Sequence, residues 1–383
     1  MSVTSPPAEH LVIPTVELHR HFEAGLRPAL IARLAEKNGV SSAKTRAGEI
    51  IEGVDPQDPA SIERYYREVA AGFAGPGGFA RFIDSFGLPL SVLQSLEDLE
   101  AAAFDQLVDL AEHGSLHAEL RGSPVTYTAI VPAPVDEILN ALTAGVARAW
   151  TERRVSGTFI AAFSRQNGLG AADGPVTKRQ APIVADAVAR RFDADRPVGM
   201  DIAGFPEDAY PPHLFERALA PAREAGVPLT VHCGEQGRWP DFAAAPPSRV
   251  LEAVEVLGAR RIGHGTCLIQ DADIRAALRE RGVGIECCPR SNVMMGFIPA
   301  LDHHPLRAFL DDGMLASVAT DDPLMFGDFT VAELLDDTAA ALGLDDEARF
   351  ALAENGLKTA FVSDARRTTL LESLRARRAA AAA

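Results

Sequence analysis

From residue 115 onward, short runs that are apolar on both faces alternate with stretches of helical apolar spacing, and this alternation leaves few folds open. PLTVH (228–232) and GVGIECC (282–288) have no consistently polar side to turn towards water. Strands of that kind suit a parallel sheet covered by helices and do not suit a half-exposed antiparallel sheet. The candidate strands are Thr15–His21, Leu116–Leu120, Thr158–Phe163, Pro197–Ala203, Pro228–His232, Arg261–Gly265, Val283–Cys287 and Leu315–Thr320. Helical spacing marks Pro28–Lys37, Ala185–Phe192, Leu214–Ala225, Pro247–Leu257, Asp271–Arg281 and Leu306–Asp312.

Eight such units predict an α/β fold closed as a (β/α)8 TIM barrel, not an open doubly wound sheet. No glycine-rich dinucleotide fingerprint follows the first strand, which weakens the Rossmann alternative. One barrel with insertions accommodates all 383 residues as a single domain, 1–383. The excursion at about 39–114, with helical pieces Ser61–Phe73 and Leu96–Glu112, is long enough to be read as a helical lid. Further helices at about 330–383 end in an alanine-rich tail expected to fray.

The net charge of −16 comes with no long basic block, which argues against nucleic-acid or anionic-membrane partners. No apolar stretch approaches the ~20 residues of a membrane span. Met1–Pro14 shows no basic segment followed by an apolar run, so a cytoplasmic location is expected. Cys233, Cys267, Cys287 and Cys288 lack metal-type spacing. Adjacent Cys287 and Cys288 face apart on a strand, so no local disulfide is expected.

Four of the predicted strands end in metal-grade or acid–base side chains: His19-Arg20-His21, His232-Cys233-Gly234-Glu235, Gly263-His264-Gly265 and Asp321-Asp322-Pro323. His19 and His21 are two apart and share a strand face. His232 and Asp321 stand at the carboxyl ends of other strands, the end at which barrel enzymes hold their reactive groups. Three imidazoles and a carboxylate suit a catalytic Zn2+ that keeps one position open for water. Glu235 and His264 are then the candidate acid–base groups, and Asp322 is free to contact substrate. The four lysines (37, 44, 178 and 358) lie off the predicted strands, so no strand lysine is available to bridge two ions and one metal is expected.

The segments PTVELHRHFEAGLRP, GMDIAGF, TVHCGE, RIGHGT, IECCPRSN and ATDDP, in this order between residue 14 and about 325, resemble the adenosine deaminase branch of the amidohydrolase superfamily. ENGLKTAF extends the resemblance to about residue 361. The resemblance implies His19, His21, His232 and Asp321 as ligands of one zinc ion, and Glu235 as the proton donor to purine N1. It implies His264 as the group that orients or deprotonates the attacking water, Asp322 as the partner of N7, and the Gly204 backbone as donor to N3. The implied reaction is hydrolytic loss of the 6-amino group of a purine as ammonia.

Two stretches depart from the family pattern. Phe22-Glu23 is followed by Ala24 before Gly25, and Gly204 by Phe205-Pro206-Glu207 where Asp-Glu is usual. Both are expected near the sugar or base, which makes Phe22 and Glu23 candidate substrate contacts. Adenine, adenosine, a 5′-modified adenosine such as aminodeoxyfutalosine, or another 6-aminopurine all remain open. Other classes weighed on the same residues are a lactonase or esterase on this barrel and a non-catalytic metal-binding signalling protein. The oligomeric state is not legible.

Among the remaining polar residues, His303-His304 is read as surface loop, and Ser291 and Asn292 as loop-shaping residues. Glu119 is expected to pair with Arg121, and Asp201 to support its neighbours by hydrogen bonds. His10, His113, His117 and His213 are taken as loop, helix or core residues, and Phe205 and Phe326 as possible covers for a flat ring.

Overall fold

Eight strands form one sheet in chain order, every adjacent pair parallel. They are β1 (Thr15–His21), β2 (Ser115–Gly122), β3 (Ser156–Ser164), β4 (Val198–Ala203), β5 (Leu229–Cys233), β6 (Arg261–His264), β7 (Gly284–Cys287) and β8 (Leu315–Val318). The computed structural model describes residues 13–171, 175–193, 198–235, 237, 241 and 243–381. His10, Pro197, most of the Met1–Pro14 stretch and the last two alanines lie outside the described residues.

The seam between β8 and β1 is closed just beyond the end of β8. The Asp321 N–H donates to the His19 carbonyl at 2.8 Å, and the His21 N–H donates to the Asp321 carbonyl at 2.9 Å. The barrel therefore closes at residues predicted to carry the chemistry.

Apolar side chains pack between strands and helices, as the two-faced strands require. The barrel interior is instead filled by buried charge. Glu286 accepts from Arg121 (2.8 Å), Arg261 (2.5 Å) and Thr230 (2.9 Å), and Arg121 also reaches Asp201 at 3.1 Å. Each of these side chains is fully buried. The expected Glu119–Arg121 pair is not made: Glu119 takes Arg261 and His117 instead. Arg121 is drawn instead to Asp201 and Glu286 on other strands, while Glu119 keeps the neighbour two residues before it, His117.

Several helices begin where the sequence supplies a cap. Asp58 caps Pro59–Ala70, Ser95 caps Leu96–Glu112, and Thr330 with Glu333 forms a capping box for Val331–Leu342. The helix expected over Leu214–Ala225 is broken into a 3-10 turn, Pro212–Phe215, and a short helix, Ala220–Glu224. Pro221 has no N–H to give the preceding turn and its ring crowds the carbonyl there. The helix expected over Ala185–Phe192 runs Gln180–Ala189, with Pro182 tolerated in its first turn. The tail expected to fray is helical through Ala381, alanine being the best helix former.

The 39–114 excursion divides in two. Leu96–Glu112 joins the outer helix layer against β2 and the helix Val135–Arg153. Gly78–Ser85 instead meets loops at the carboxyl ends of the strands. Phe79 packs edge-on to Phe205 at 4.2 Å, and Phe82 stacks on Phe326 at 5.7 Å between ring centroids. No helix among the described residues is long and apolar enough to cross a membrane.

Candidate active site

The carboxyl end of the barrel gathers the predicted ligands. His19 and His21 leave β1 on one face, His232 ends β5, and Asp321 follows β8. His19 Nε2 lies 3.0 Å from His232 Nε2 and 3.3 Å from Asp321 Oδ1; His21 Nε2 lies 3.2 and 3.3 Å from the same two atoms. A tetrahedron with bonds of ~2.0–2.1 Å has edges of about 3.3 Å, so the spacing fits one zinc-sized ion. Gly263 makes room for this cluster, since a β-carbon there would stand 2.7 Å from the His19 ring.

The outer nitrogens are held from behind. His19 Nδ1 bonds Glu286 at 2.6 Å and His232 Nδ1 bonds Asp201 at 3.0 Å, which turns each Nε2 lone pair inward. Asp201 thus supports the site as expected. Burial pushes the His232 imidazole down to about 4, so it is a neutral donor at neutral pH. Burial also opposes charge on His19, but its bonds to Asp321 and Glu286 win and raise it; a bound cation takes the place of that proton. Asp321, despite burial, is held well below the ordinary carboxylate range by His19 and His21.

A second grouping, His19, His264, Cys288 and Asp321, shares two of these residues. Burial and the carboxylates around Cys288 push its thiol up, which makes it the poorer donor. All four cysteines are free and buried, Cys287 and Cys288 among them.

The acid–base candidates flank the cluster. His264 Nε2 stands 3.5 Å from Glu235 Oε2 and 4.0 Å from Asp321 Oδ2. Burial, reinforced by Asp321, Glu207 and Asp322, pushes the Glu235 carboxyl well above its ordinary value. Glu235 therefore holds its proton to higher pH than an ordinary carboxyl, while burial lowers the His264 imidazole and favours its neutral form. Asp322 is also raised, by burial and then Asp321, and its Oδ1 is buried without a hydrogen-bond partner. His264 and Asp321 both adopt left-handed backbone, φ 66° and 61°, a strained setting common at reactive sites.

Gly204 directly follows β4 with φ 87°, a backbone conformation that favours glycine, and a β-carbon there would displace the end of the Gln166 side chain. Glu23 is buried and accepts the Tyr127 hydroxyl at 2.7 Å. Phe22, expected against substrate, is instead fully buried edge-on to Tyr127 and Phe159, so its ring is committed to packing. Phe326 is likewise packed among Phe73 and Phe82.

Two further expectations are corrected. His304 is not surface loop: it is buried and bonded to Asn292, while only His303 is exposed. Ser291 and Asn292 are not loop residues, since they lie buried in the helix Pro289–Met294, from which Asn292 reaches His264. Pro289 at the helix start turns the chain inward directly after β7.

Sequence reasoning also passed over Glu207, whose carboxylate accepts the N–H groups of Gly234 and Glu235 at 2.8 and 3.1 Å and so fixes the backbone that presents Glu235. Arg165 was missed as well; it donates to the His232 carbonyl. A lone glutamate inside an otherwise apolar strand was a usable signal for Glu286; Glu207 and Arg165 sit in loops with none.

A parallel barrel with side chains in metal-ligand geometry at its carboxyl mouth, flanked by a buried carboxyl, is the architecture of a metal-dependent hydrolase. The family model described as adenosine deaminase matches residues 14–377. An adenine deaminase of Caulobacter vibrioides is 30% identical over 368 residues, covering 96% of this chain and 95% of that protein. An adenosine deaminase of Escherichia coli is 30% identical over 371 residues, covering 95% and 98%. Among solved structures, the adenine deaminase of Arthrobacter aurescens superposes with a TM-score of 0.76 at 29% identity, covering 94% of this chain and 98% of that one. An amidohydrolase of Burkholderia ambifaria with bound Zn shares the fold, with a TM-score of 0.75 at 21% identity, covering 100% and 97%. The chain belongs to the adenosine deaminase family.

Proposed function

We propose that the protein is a zinc-dependent deaminase that hydrolyses a 6-aminopurine, adenosine or a close analogue, to the 6-oxopurine and ammonia. It is a hydrolase of carbon–nitrogen bonds in cyclic amidines, with a small-molecule substrate and a cytoplasmic setting. The observation that carries this reading is the placement of the buried Glu235 carboxyl 3.5 Å from His264, beside four side-chain atoms spaced for a single ion.

His19, His21, His232 and Asp321 would hold the metal, one per chain, and a metal so held supplies Lewis acidity that lowers the pKa of water. The protein groups do the rest. Glu235 delivers its proton to N1 as oxygen adds to C6, which prevents negative charge from building on the ring. Asp322, whose carboxyl is raised by burial and whose Oδ1 is buried without a hydrogen-bond partner, is poised to meet N7, and the Gly204 N–H to meet N3. Phe79 and Phe205 cover the mouth and help exclude bulk water, the role proposed for the 59–91 part of the insertion.

Free adenine is the second reading, because the Caulobacter and Arthrobacter relatives named adenine deaminase are as similar as the E. coli adenosine deaminase. A panel of adenine, adenosine, deoxyadenosine and 5′-substituted adenosines, followed by ultraviolet absorbance, separates the two. Turnover of none of them by zinc-loaded protein, with a lactone hydrolysed instead, would reject the deaminase reading.

A further inference from the structure

Three buried residues behind His264 form a hydrogen-bonded chain in which every proton position is determined. Leu306 opens the helix Leu306–Asp311, so its N–H has no carbonyl within the helix to receive it. That N–H donates to His304 Nδ1 at 3.1 Å. A backbone N–H can only donate, so His304 Nδ1 carries a lone pair and, in the neutral ring, the hydrogen is on Nε2. His304 Nε2 lies 3.3 Å from Asn292 Oδ1, which must accept. The Asn292 amide is thereby oriented, and its Nδ2 donates to His264 Nδ1 at 3.2 Å. His264 Nδ1 then carries a lone pair and its hydrogen is on Nε2. Turning the amide over would set N–H against N–H at the His304 end, in a place where His304, Asn292 and His264 are at most 3% exposed.

We propose that His304 and Asn292 are positioning residues that lock His264 as the Nε2–H tautomer, so that His264 acts on the oxygen nucleophile as a hydrogen-bond donor and not as the base that takes its proton. His264 Nε2 is the nitrogen that faces Glu235 and Asp321, the side on which the ligand atoms converge. A donor fixed there stabilises negative charge on oxygen as it adds to C6 and costs no reorientation during the reaction. The catalytic consequence rests on the deaminase reading; the proton positions do not.

The test is nitrogen-15 NMR of histidine-labelled, zinc-loaded protein, in which ring tautomers give distinct cross-peak patterns, with the His264 signal assigned by its loss in His264→Ala. Wild type is expected to show His264 as Nε2–H. Asn292→Asp, nearly isosteric, accepts at both ends, so His264 should switch to Nδ1–H while zinc content stays at one per chain. In the same variant kcat should fall about 100-fold, the scale for one lost oxyanion donor, with KM within about twofold. His304→Leu should also lower kcat, and His304→Gln, which keeps a donor near the Nε2 position, should recover most of that loss. An Nδ1–H pattern for His264 in wild type, or a tautomer unmoved by Asn292→Asp, overturns the assignment. A switched tautomer with undiminished kcat overturns its catalytic role. Absence of turnover by wild type on every aminopurine would sink the deaminase reading and leave the NMR result standing.

Discussion

Replacing Glu286 with glutamine should cost both stability and metal affinity, because this carboxylate neutralises the barrel interior and also aims a metal-ligand histidine. It accepts from Arg121, Arg261, Thr230 and His19, with no solvent exposure on any of the four. Glutamine keeps the shape but removes the charge and turns an NH2 towards donors. Arg121 retains Asp201 and Arg261 retains Glu119, so neither guanidinium is left wholly unpaired. The loss should therefore sit near the lower end of the ~3–5 kcal/mol seen when one partner of a buried pair is removed. At about 2.1 cal/mol/K per residue over 383 residues, the unfolding entropy is ~0.8 kcal/mol/K, which converts that loss to a Tm decrease of about 4 °C. The His19 imidazole also loses its orienting carboxylate, so zinc should bind ~10–100-fold more weakly. Calorimetry of zinc-free protein measures the first effect, and competition against a chromogenic chelator the second. A zinc-free Tm within 1 °C of wild type, together with unchanged zinc affinity, would refute the view that Glu286 joins core and site.

Glu235→Gln should retain zinc but lose at least ~100-fold in kcat/KM, the usual scale for a general acid; near-normal turnover at full metal content would remove Glu235 from the reaction. Gly204→Ala sets a β-carbon against Gln166 in a left-handed backbone and should raise KM for every aminopurine, measured by initial rates against an unchanged zinc content. Burial alone would raise the Glu119 carboxyl, but Arg261 and the His117 hydrogen bond hold it below its ordinary value. Its stabilisation is thus present above the unfolded value of ~4.3 and lost as pH falls through the depressed folded one. Glu119→Gln, already weaker at neutral pH, should lose less stability than wild type between about pH 4.3 and 2, as read by thermal melts across that range. Dialysis against a chelator should lower Tm and abolish turnover, both restored by added zinc.

The strands were legible because short strand-like runs alternate with helical spacing, and runs such as 228–232 and 282–288 are apolar on both faces, a pattern that suits a covered parallel sheet. β1 matches its expected limits at Thr15–His21, and the others differ mainly at their ends, where pairing and not side-chain pattern decides the last residue. The clustering of His19, His21, His232 and Asp321 was legible because two-residue spacing and strand-end position are local properties of the chain. What lay behind it was not. His304 and Asn292 sit beside a proline and inside a short helix, so their local signals say loop; only the fold brings them behind His264. Phe22 erred the other way: adjacency to His21 suggested substrate, yet alternation along the extended chain turns its ring out of the mouth and into the packing around Tyr127.

The seam between the first and last strands has a consequence for how the protein is born. Residues 19 and 21 leave the ribosome early, whereas Asp321 emerges only after all eight strands have been made. The same short stretch both staples the cylinder shut and completes the cluster of His19, His21, His232 and Asp321 proposed to hold the metal. An ion therefore cannot be fully held by a nascent or truncated chain, and catalytic competence arrives only with the final docking event.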